Sequence, residues 1–247
     1  MKFKLIKDTS GAQLLELGPS TGMWSDAVLR QFLGQTARGW PAKFAKVEGV
    51  YFHFGEAVTH FVGFEALPNL RRLWGVSGAL TSLDGLEHCK QLARISLPDS
   101  DKMKVTSLAP LRGLDALVQL RAEGLRQLDD VDAIATLPNL REANLGNPGT
   151  PALAPIAHSK NLEWLSLRKW PVEEVGALAE LRKLRFLDLG WCPRLADVSA
   201  LAKLPRLEKV RLYGYGEEWL ARLVGVDALR GKICGEDGVE DFDDPDW

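Results

Sequence analysis

Residues 162–167 read Leu162-Glu163-Trp164-Leu165-Ser166-Leu167, and residues 184–189 repeat the pattern as Leu184-Arg185-Phe186-Leu187-Asp188-Leu189. The phrase is Leu-x-x-Leu-x-Leu. It returns as Leu207, Val210, Leu212, and upstream as Leu140, Ala143, Leu145; Leu117, Leu120, Ala122; Leu92, Ile95, Leu97; Leu70, Leu73, Gly75; and, more loosely, Val47, Val50, Phe52. The first positions fall at 47, 70, 92, 117, 140, 162, 184 and 207, so eight units follow one another at intervals of 22 to 25 residues. A unit this short cannot bury its own apolar face and does so by stacking on its neighbours, which makes the period the signature of a solenoid.

A second motif recurs between the phrases: Ser107-Leu108-Ala109-Pro110-Leu111, Leu153-Ala154-Pro155-Ile156-Ala157 and Asp197-Val198-Ser199-Ala200-Leu201-Ala202. Leu67-Pro68-Asn69-Leu70, Leu137-Pro138-Asn139-Leu140 and Leu204-Pro205-Arg206-Leu207 lead into strands. Over residues 47–216 the chain resembles the leucine-rich-repeat family, in the short-repeat form of bacterial internalins and of the repeat-type regulatory subunit of eukaryotic protein phosphatase 1. The resemblance implies an α/β repeat solenoid: an arc of about eight coils with a concave parallel β-sheet and short turns or 3-10 segments on the convex side. What the family shares functionally is binding, so the resemblance implies an interaction module and no particular partner.

In each coil the first, fourth and sixth positions are expected to point into the solenoid, and the third, fifth and seventh to alternate outward. Parallel pairing then stacks equivalent positions into rows at about 4.8 Å per coil. The third row is Gly49, Arg72, Arg94, Gln119, Glu142, Trp164, Phe186, Lys209. The fifth is Tyr51, Trp74, Ser96, Arg121, Asn144, Ser166, Asp188, Arg211; the seventh is His53, Val76, Pro98, Glu123, Gly146, Arg168, Gly190, Tyr213. Lys169 and Trp191 follow at the eighth position. Tyr51, Trp74, Trp164, Phe186, Trp191 and Tyr213 are large rings where the core does not need them, and Arg72, Arg94, Arg121, Arg168 and Arg211 stand among them. Trp, Tyr and Arg dominate binding hot spots, because each buries much surface while losing few rotamers. Together with Glu142, Lys169 and Asp188, these residues form the expected partner-binding face. Tyr51 has a second reading, as a ring packed beside the N-terminal block.

The ninth position departs from the family. Its usual Asn is replaced by Gly55, Gly78, Ser100, Leu125, Pro148, Trp170, Cys192 and Tyr215, so backbone groups in these turns must be satisfied by other means. Gly75 and Ala122 leave small core slots for neighbours to fill.

Three segments are expected: an N-terminal cap over residues 1–46, the solenoid over 47–216, and a C-terminal cap with an acidic tail over 217–247. Lys2 to Lys7 and Gln13 to Leu17 read as two strands joined around Thr9-Ser10-Gly11. A helix from Ser25 to about Thr36 then presents Val28, Leu29, Phe32 and Leu33 on one face. Trp219, Leu220, Leu223 and Val224 suggest a short closing helix, and a last strand falls near Lys232 to Cys234, with its register open by one residue.

Thirty-one Lys and Arg nearly balance thirty-three Asp and Glu, so overall charge names no partner class. The balance hides a split, since seven carboxylates and no basic residue in 235–247 turn an overall −2 into +5 for residues 1–234. The tail reads either as a solvated end or as a segment that folds back over the basic face and competes with an acidic partner. Cys89, Cys192 and Cys234 lack paired spacing, which favours a reducing compartment. The first residues carry no apolar run of a secretory signal, and no stretch is apolar and long enough to span a bilayer. The signal peptide and wall anchor of secreted internalins are not read here, so a cytoplasmic location and a monomer are expected.

No chemistry-bearing constellation emerges, and no cofactor or metal is expected. His53, His60, His88 and His158 have no paired metal spacing with one another or with the cysteines. Cys192 is explained by its turn position rather than as a nucleophile. Gly214-Tyr215-Gly216 lacks the further glycine of a dinucleotide loop. The chain after the last coil is too short for the catalytic domain that bacterial ubiquitin-ligase effectors join to such repeats. The expectation is a non-enzymatic bacterial module binding a protein, as a regulator, adaptor or toxin-neutralising protein. The alternative is a nucleic-acid-binding solenoid using the concave arginines and rings, although Glu123, Glu142 and Asp188 interrupt that basic field.

Overall fold

The computed structural model describes residues 3–17, 45–54, 59–77, 80–98, 103–146, 153–214 and 216–234. The Ser25 to Thr36 helix, the acidic tail and the ninth positions Gly55, Gly78, Ser100, Pro148 and Tyr215 lie outside them. Eleven strands stand side by side in chain order in one sheet: β1 (Phe3–Lys7), β2 (Gln13–Leu17), β3 (Val47–Phe54), β4 (Arg72–Ser77), β5 (Arg94–Ser96), β6 (Gln119–Arg121), β7 (Glu142–Asn144), β8 (Trp164–Ser166), β9 (Phe186–Asp188), β10 (Lys209–Arg211) and β11 (Ile233–Cys234). β1 and β2 form an antiparallel hairpin, and every later pairing is parallel.

The register is the one the repeat dictates. Arg72, Arg94, Gln119, Glu142, Trp164, Phe186 and Lys209 pair in succession, as do Trp74, Ser96, Arg121, Asn144, Ser166, Asp188 and Arg211. At the end, Ile233 pairs with Val210 and Cys234 with Arg211, which resolves the last strand's register. The eight first-position residues are at most 3% exposed and belong to one continuous core.

Period and side-chain size together explain the core. Phe52 fills the small slot at Gly75: a Cβ on that glycine would stand 2.4 Å from the Phe52 ring and from its carbonyl oxygen. Phe61 meets Phe52 edge-on at 5.6 Å and Phe64 at 5.2 Å, so the first coils close around an aromatic cluster. Leu125, Trp170 and Cys192, the described ninth positions, are all fully buried. There the turn closes through backbone, with Leu125 N–H donating to Ala122 and Trp170 N–H to Leu167, and the Cys192 thiol donates to the Leu167 carbonyl at 3.2 Å.

Side-chain amides tie the coils together at a different place, just before the strand. Asn69 donates to the Ala45 carbonyl at 2.6 Å, Asn139 to Asp115 at 2.8 Å and Asn161 to Pro138 at 2.6 Å, each reaching the preceding coil. The Asn-Leu pair that opens these coils, preceded by Pro at Asn69 and Asn139 and by Lys160 at Asn161, therefore supplies part of what the missing ninth-position Asn would have given.

The convex side carries 3-10 turns, such as Asp132–Thr136, Gly176–Glu180 and Ser199–Lys203, and one short helix, α1 (Leu153–Ala157). Short polar side chains start several of them: Ser107 Oγ accepts from the Ala109 N–H, and the Asp130 and Asp197 carboxylates from the N–H groups of Asp132 and Ser199. The closing helix α2 (Gly216–Arg222) packs Trp219 and Leu220 on the core, with Leu223 buried just beyond. Val224 differs from the expected face. Its backbone bonds to Ala196 and Val198 turn its side chain outward, and it is 58% exposed.

Candidate functional site

The outward rows line the concave face in three zones of different character. At the N-terminal end, the β1–β2 turn leans onto the first coils. Gly11 takes the left-handed conformation, φ 84°, and Asp8 accepts from the Ser10 N–H, the Ser10 hydroxyl and the Ala12 N–H. Its second oxygen holds Arg72. These bonds, first from Ser10 and then from Arg72, keep the Asp8 carboxyl below the usual carboxylate range. Tyr51 meets Trp74 in a tilted ring contact at 5.9 Å, and Tyr51, Asp8, Arg72 and Arg94 line a shallow cleft of about 500 Å³. The anchoring role of Asp8 was not legible in the repeat, because the hairpin lies outside it.

The middle is an internally neutralised polar zone. Glu142 accepts from Gln119 Nε2 at 2.6 Å and from Arg121 Nε at 2.8 Å, so the two coils exchange their charges with each other. Gln119 and Glu142 are buried.

The C-terminal zone gathers most of the predicted residues. Arg168 lies over the Tyr213 ring at 5.7 Å, and Trp191 meets that ring edge-on at 6.3 Å. Trp191 is 38% exposed and lies against Gly214, where a Cβ would stand 2.8 Å from the indole. Phe186 sits between two cations, Arg185 and Lys209, each 5.9 Å from its ring centre. Trp164 holds its place in the row but is only 8% exposed, forming a floor rather than a projecting anchor. Asp188 accepts from the Gly190 N–H at 2.8 Å and from Arg211 at 3.2 Å, yet burial outweighs both and pushes its carboxyl above the usual value.

Trp164, Arg168, Asp188 and Arg211 line a concave cleft of about 400 Å³, together with Lys169, Asn144, Ser166 and Arg126. Arg126 was missed in the sequence, since it follows the ninth position, where the alternation of the strand no longer applies. Lys169 and, one coil on, Trp191 lie in the left-handed region, φ 64° and 58°, the only described non-glycine residues to do so. Each donates its N–H to the seventh-position carbonyl of the next coil, Lys169 to Gly190 and Trp191 to Tyr213, both at 2.9 Å. The next eighth position is Gly214, φ 119°, the residue type such a bend ordinarily selects.

Strand register, buried leucine rows and convex 3-10 turns define a leucine-rich-repeat solenoid. Among solved structures, the chain is similar to an internalin (inlF) from Listeria monocytogenes, with a TM-score of 0.59 and 22% identity, over 75% of this chain and 54% of that one. It is also similar to internalin C2 of the same organism, with a TM-score of 0.60 and 23% identity, over 79% of this chain and 83% of that one. At these identities the likeness is one of fold. This chain spans only about half the length of the first. No family model matches the sequence, and neither does any curated protein.

Proposed function

We propose that this protein is a non-enzymatic interaction module that holds a protein partner against its concave sheet, centred on the C-terminal zone. The observation that carries the reading is the exposed Trp191, braced by Tyr213 and Gly214 and kept at a backbone position that favours glycine. Strain retained at an exposed aromatic is expected where the side chain serves recognition. Burial pushes both Cys89 and Cys192 up to about 12, so neither of these thiols is set up as a nucleophile. All three cysteines are unpaired, which fits a reducing, cytoplasmic setting, and the protein acts as a monomer in this reading. Such binding would suit a bacterial regulator, adaptor or toxin-neutralising protein, with no choice made among the three.

Protein is favoured over nucleic acid because Glu142 engages Arg121 and Asp188 engages Arg211, breaking the positive track a phosphate backbone requires. Affinity capture from the source organism's lysate supplies the partner. Trp191→Ala then weakens it by roughly 2 kcal/mol or more without lowering the melting temperature. Full affinity in that variant, or capture of nucleic acids whose binding collapses steeply with salt regardless of sequence, overturns the reading.

A further inference from the structure

Each of the last coils enters its strand through the same tight turn, closed by one backbone bond: the Leu162 N–H donates to Ser159, Leu184 to Leu181 and Leu207 to Leu204. Second-position groups continue the stack, since the Arg185 N–H donates to the Glu163 carbonyl and the Glu208 N–H to Arg185. Equivalent residues of these turns therefore line up along the rim where the sheet begins, at about 4.8 Å per coil. Lys160, Arg182, Lys183, Arg185, Lys203 and Arg206 stand at or just before these turns, with three carboxylates, Glu163, Glu180 and Glu208. The carboxylates are engaged within the rim. Glu180 pairs with Lys160 at 3.4 Å, Glu208 holds Arg185 through two bonds at 2.8 and 3.0 Å, and Glu163 acts on the same guanidinium. Arg182, Lys183, Lys203 and Arg206 are all exposed, and none of the four forms an ion pair among the described residues.

Packing does not account for these cations. The place just before the first leucine carries Asn69, Asn139 and Asn161, and each amide bonds a carbonyl of the preceding coil. In the next two coils that place holds Lys183 and Arg206 instead. Lys183 Nζ donates to the Asn161 side chain at 2.6 Å, a neutral partner that leaves its charge in place, and the Arg206 guanidinium makes no hydrogen bond among the described residues. Like charges at equivalent places of neighbouring coils repel, whereas an asparagine at either one would extend the amide ladder without that repulsion. A row of cations kept against both considerations is expected where it meets negative charge from outside.

We propose that this rim is a second contact surface of the protein and takes an extended acidic segment of the partner, running across the last coils. The proposal rests on the reading of the protein as an interaction module and extends it, because Arg185 also lies over the Phe186 ring at 5.9 Å and so joins the rim to the C-terminal zone of the concave face. In an extended segment, carboxylates on the same side are roughly 6.5–7 Å apart, within side-chain reach of cations one coil apart. One Asp or Glu meets Lys203 and Arg206, and the next meets Arg182 and Lys183. Arginine's planar fork suits a carboxylate, and lysine adds a mobile point charge. Neutral residues of the segment pass over Glu180 and Glu208. A phosphodiester strand fits less well, since it carries charge at every unit and would bring phosphates against those two carboxylates.

The test uses the full chain and a short fluorescent oligoglutamate at low salt, with oligoglutamine, an equally charged oligothymidylate and phosphatidylserine-containing vesicles as comparisons. Oligoglutamate is expected to bind at least about tenfold more tightly than oligoglutamine, a difference of about 1.4 kcal/mol, and more tightly than oligothymidylate, with no retention on the vesicles. Lys183→Gln and Arg206→Gln are each expected to weaken oligoglutamate about threefold, and the double variant about tenfold, at a wild-type melting temperature. Lys104→Gln removes the same charge from the exposed connection after β5 and should leave the affinity unchanged. Equal weakening by Lys104→Gln, unchanged affinity in the double variant, tighter binding of oligothymidylate, or retention on the vesicles overturns the proposal. So does a gain of about tenfold or more when the seven carboxylates of residues 235–247 are exchanged for amides in the full chain, because the occupant is then the chain's own tail. The captured partner separates the two levels. Loss on Trp191→Ala with indifference to the double variant leaves the interaction module standing and removes the rim; indifference to both removes both.

Discussion

Arg168 reaches the ring of Tyr213, 5.7 Å away and two coils along the solenoid, because the residue between them in the row is Gly190. A Cβ on Gly190 would stand 2.3 Å from the Tyr213 ring. The missing side chain is thus what lets the two residues meet across the coil between.

Gly190→Ala should therefore uncouple them. The ring can swing aside, so the fold survives, but the cation–π contact, worth about 0.5–1 kcal/mol at such sites, is lost. Folding stability is expected to fall by up to about that amount, and partner affinity with it, because Arg168 is no longer held in place. A variant that unfolds, or one that binds as well as the parent, contradicts the account.

Leu165 lies fully buried between Trp164 and Ser166, which face the other way. Leu165→Ala should cost about 2–5 kcal/mol in urea-induced unfolding, because it removes transfer free energy and leaves a cavity in the stack. Ser166→Ala, one residue on, should cost much less. Comparable losses at the two sites would argue against the register.

Gly75→Ala tests the opposite fault, overfilling. The new methyl meets both the ring and the carbonyl oxygen of Phe52 at 2.4 Å, and a loss of about 1–3 kcal/mol is expected. Phe52→Leu in the same chain should recover only part of it, since the carbonyl cannot be trimmed. Complete rescue would mean that the backbone contact is unimportant.

Two aspartates should respond to acid with opposite sign. The Asp8 carboxyl is held below its unfolded value by Ser10 and Arg72, so its stabilising contribution is full above about pH 4 and is lost as pH falls through the folded value. The stability gap between wild type and Asp8→Asn should accordingly shrink in acid. Burial raises Asp188, so its contribution is full below the unfolded value and is lost as pH rises through the folded one. Relative to Asp188→Asn, the wild type should gain stability as acid is added. Urea melts across a pH series measure both, and gaps that stay constant with pH would dismiss these assignments.

The fold was legible because position in a repeat is a statement about direction: Leu162, Leu165 and Leu167 had to face inward once their period was recognised. Which residues share the concave rows was legible for the same reason. How they meet was not. Trp164 is covered and Trp191 is not, although both were read as projecting rings; burial depends on what the neighbouring coils place beside each side chain. The left-handed backbone at Lys169 and Trp191 carries no residue-type signal, since neither lysine nor tryptophan favours it. Asp8 lies outside the repeat altogether, and nothing in its local sequence names Arg72 as its partner. Val224 was misread because a helical spacing was extended two residues past the helix, into a segment fixed by backbone bonds to Ala196 and Val198.

The first hairpin also gives the molecule a polarity. Strands β2 to β11 run one way and β1 runs the other, so the two edges of the sheet are not complementary ends of one ladder. A second copy that tried to continue the stack by laying its β11 against β1 would meet a strand of the wrong direction, and β11 offers only two residues. Head-to-tail addition of a second copy would therefore have to switch from the parallel pairing of the repeat to an antiparallel join over a two-residue strand, so these two edges do not match as the ends of a uniform ladder would.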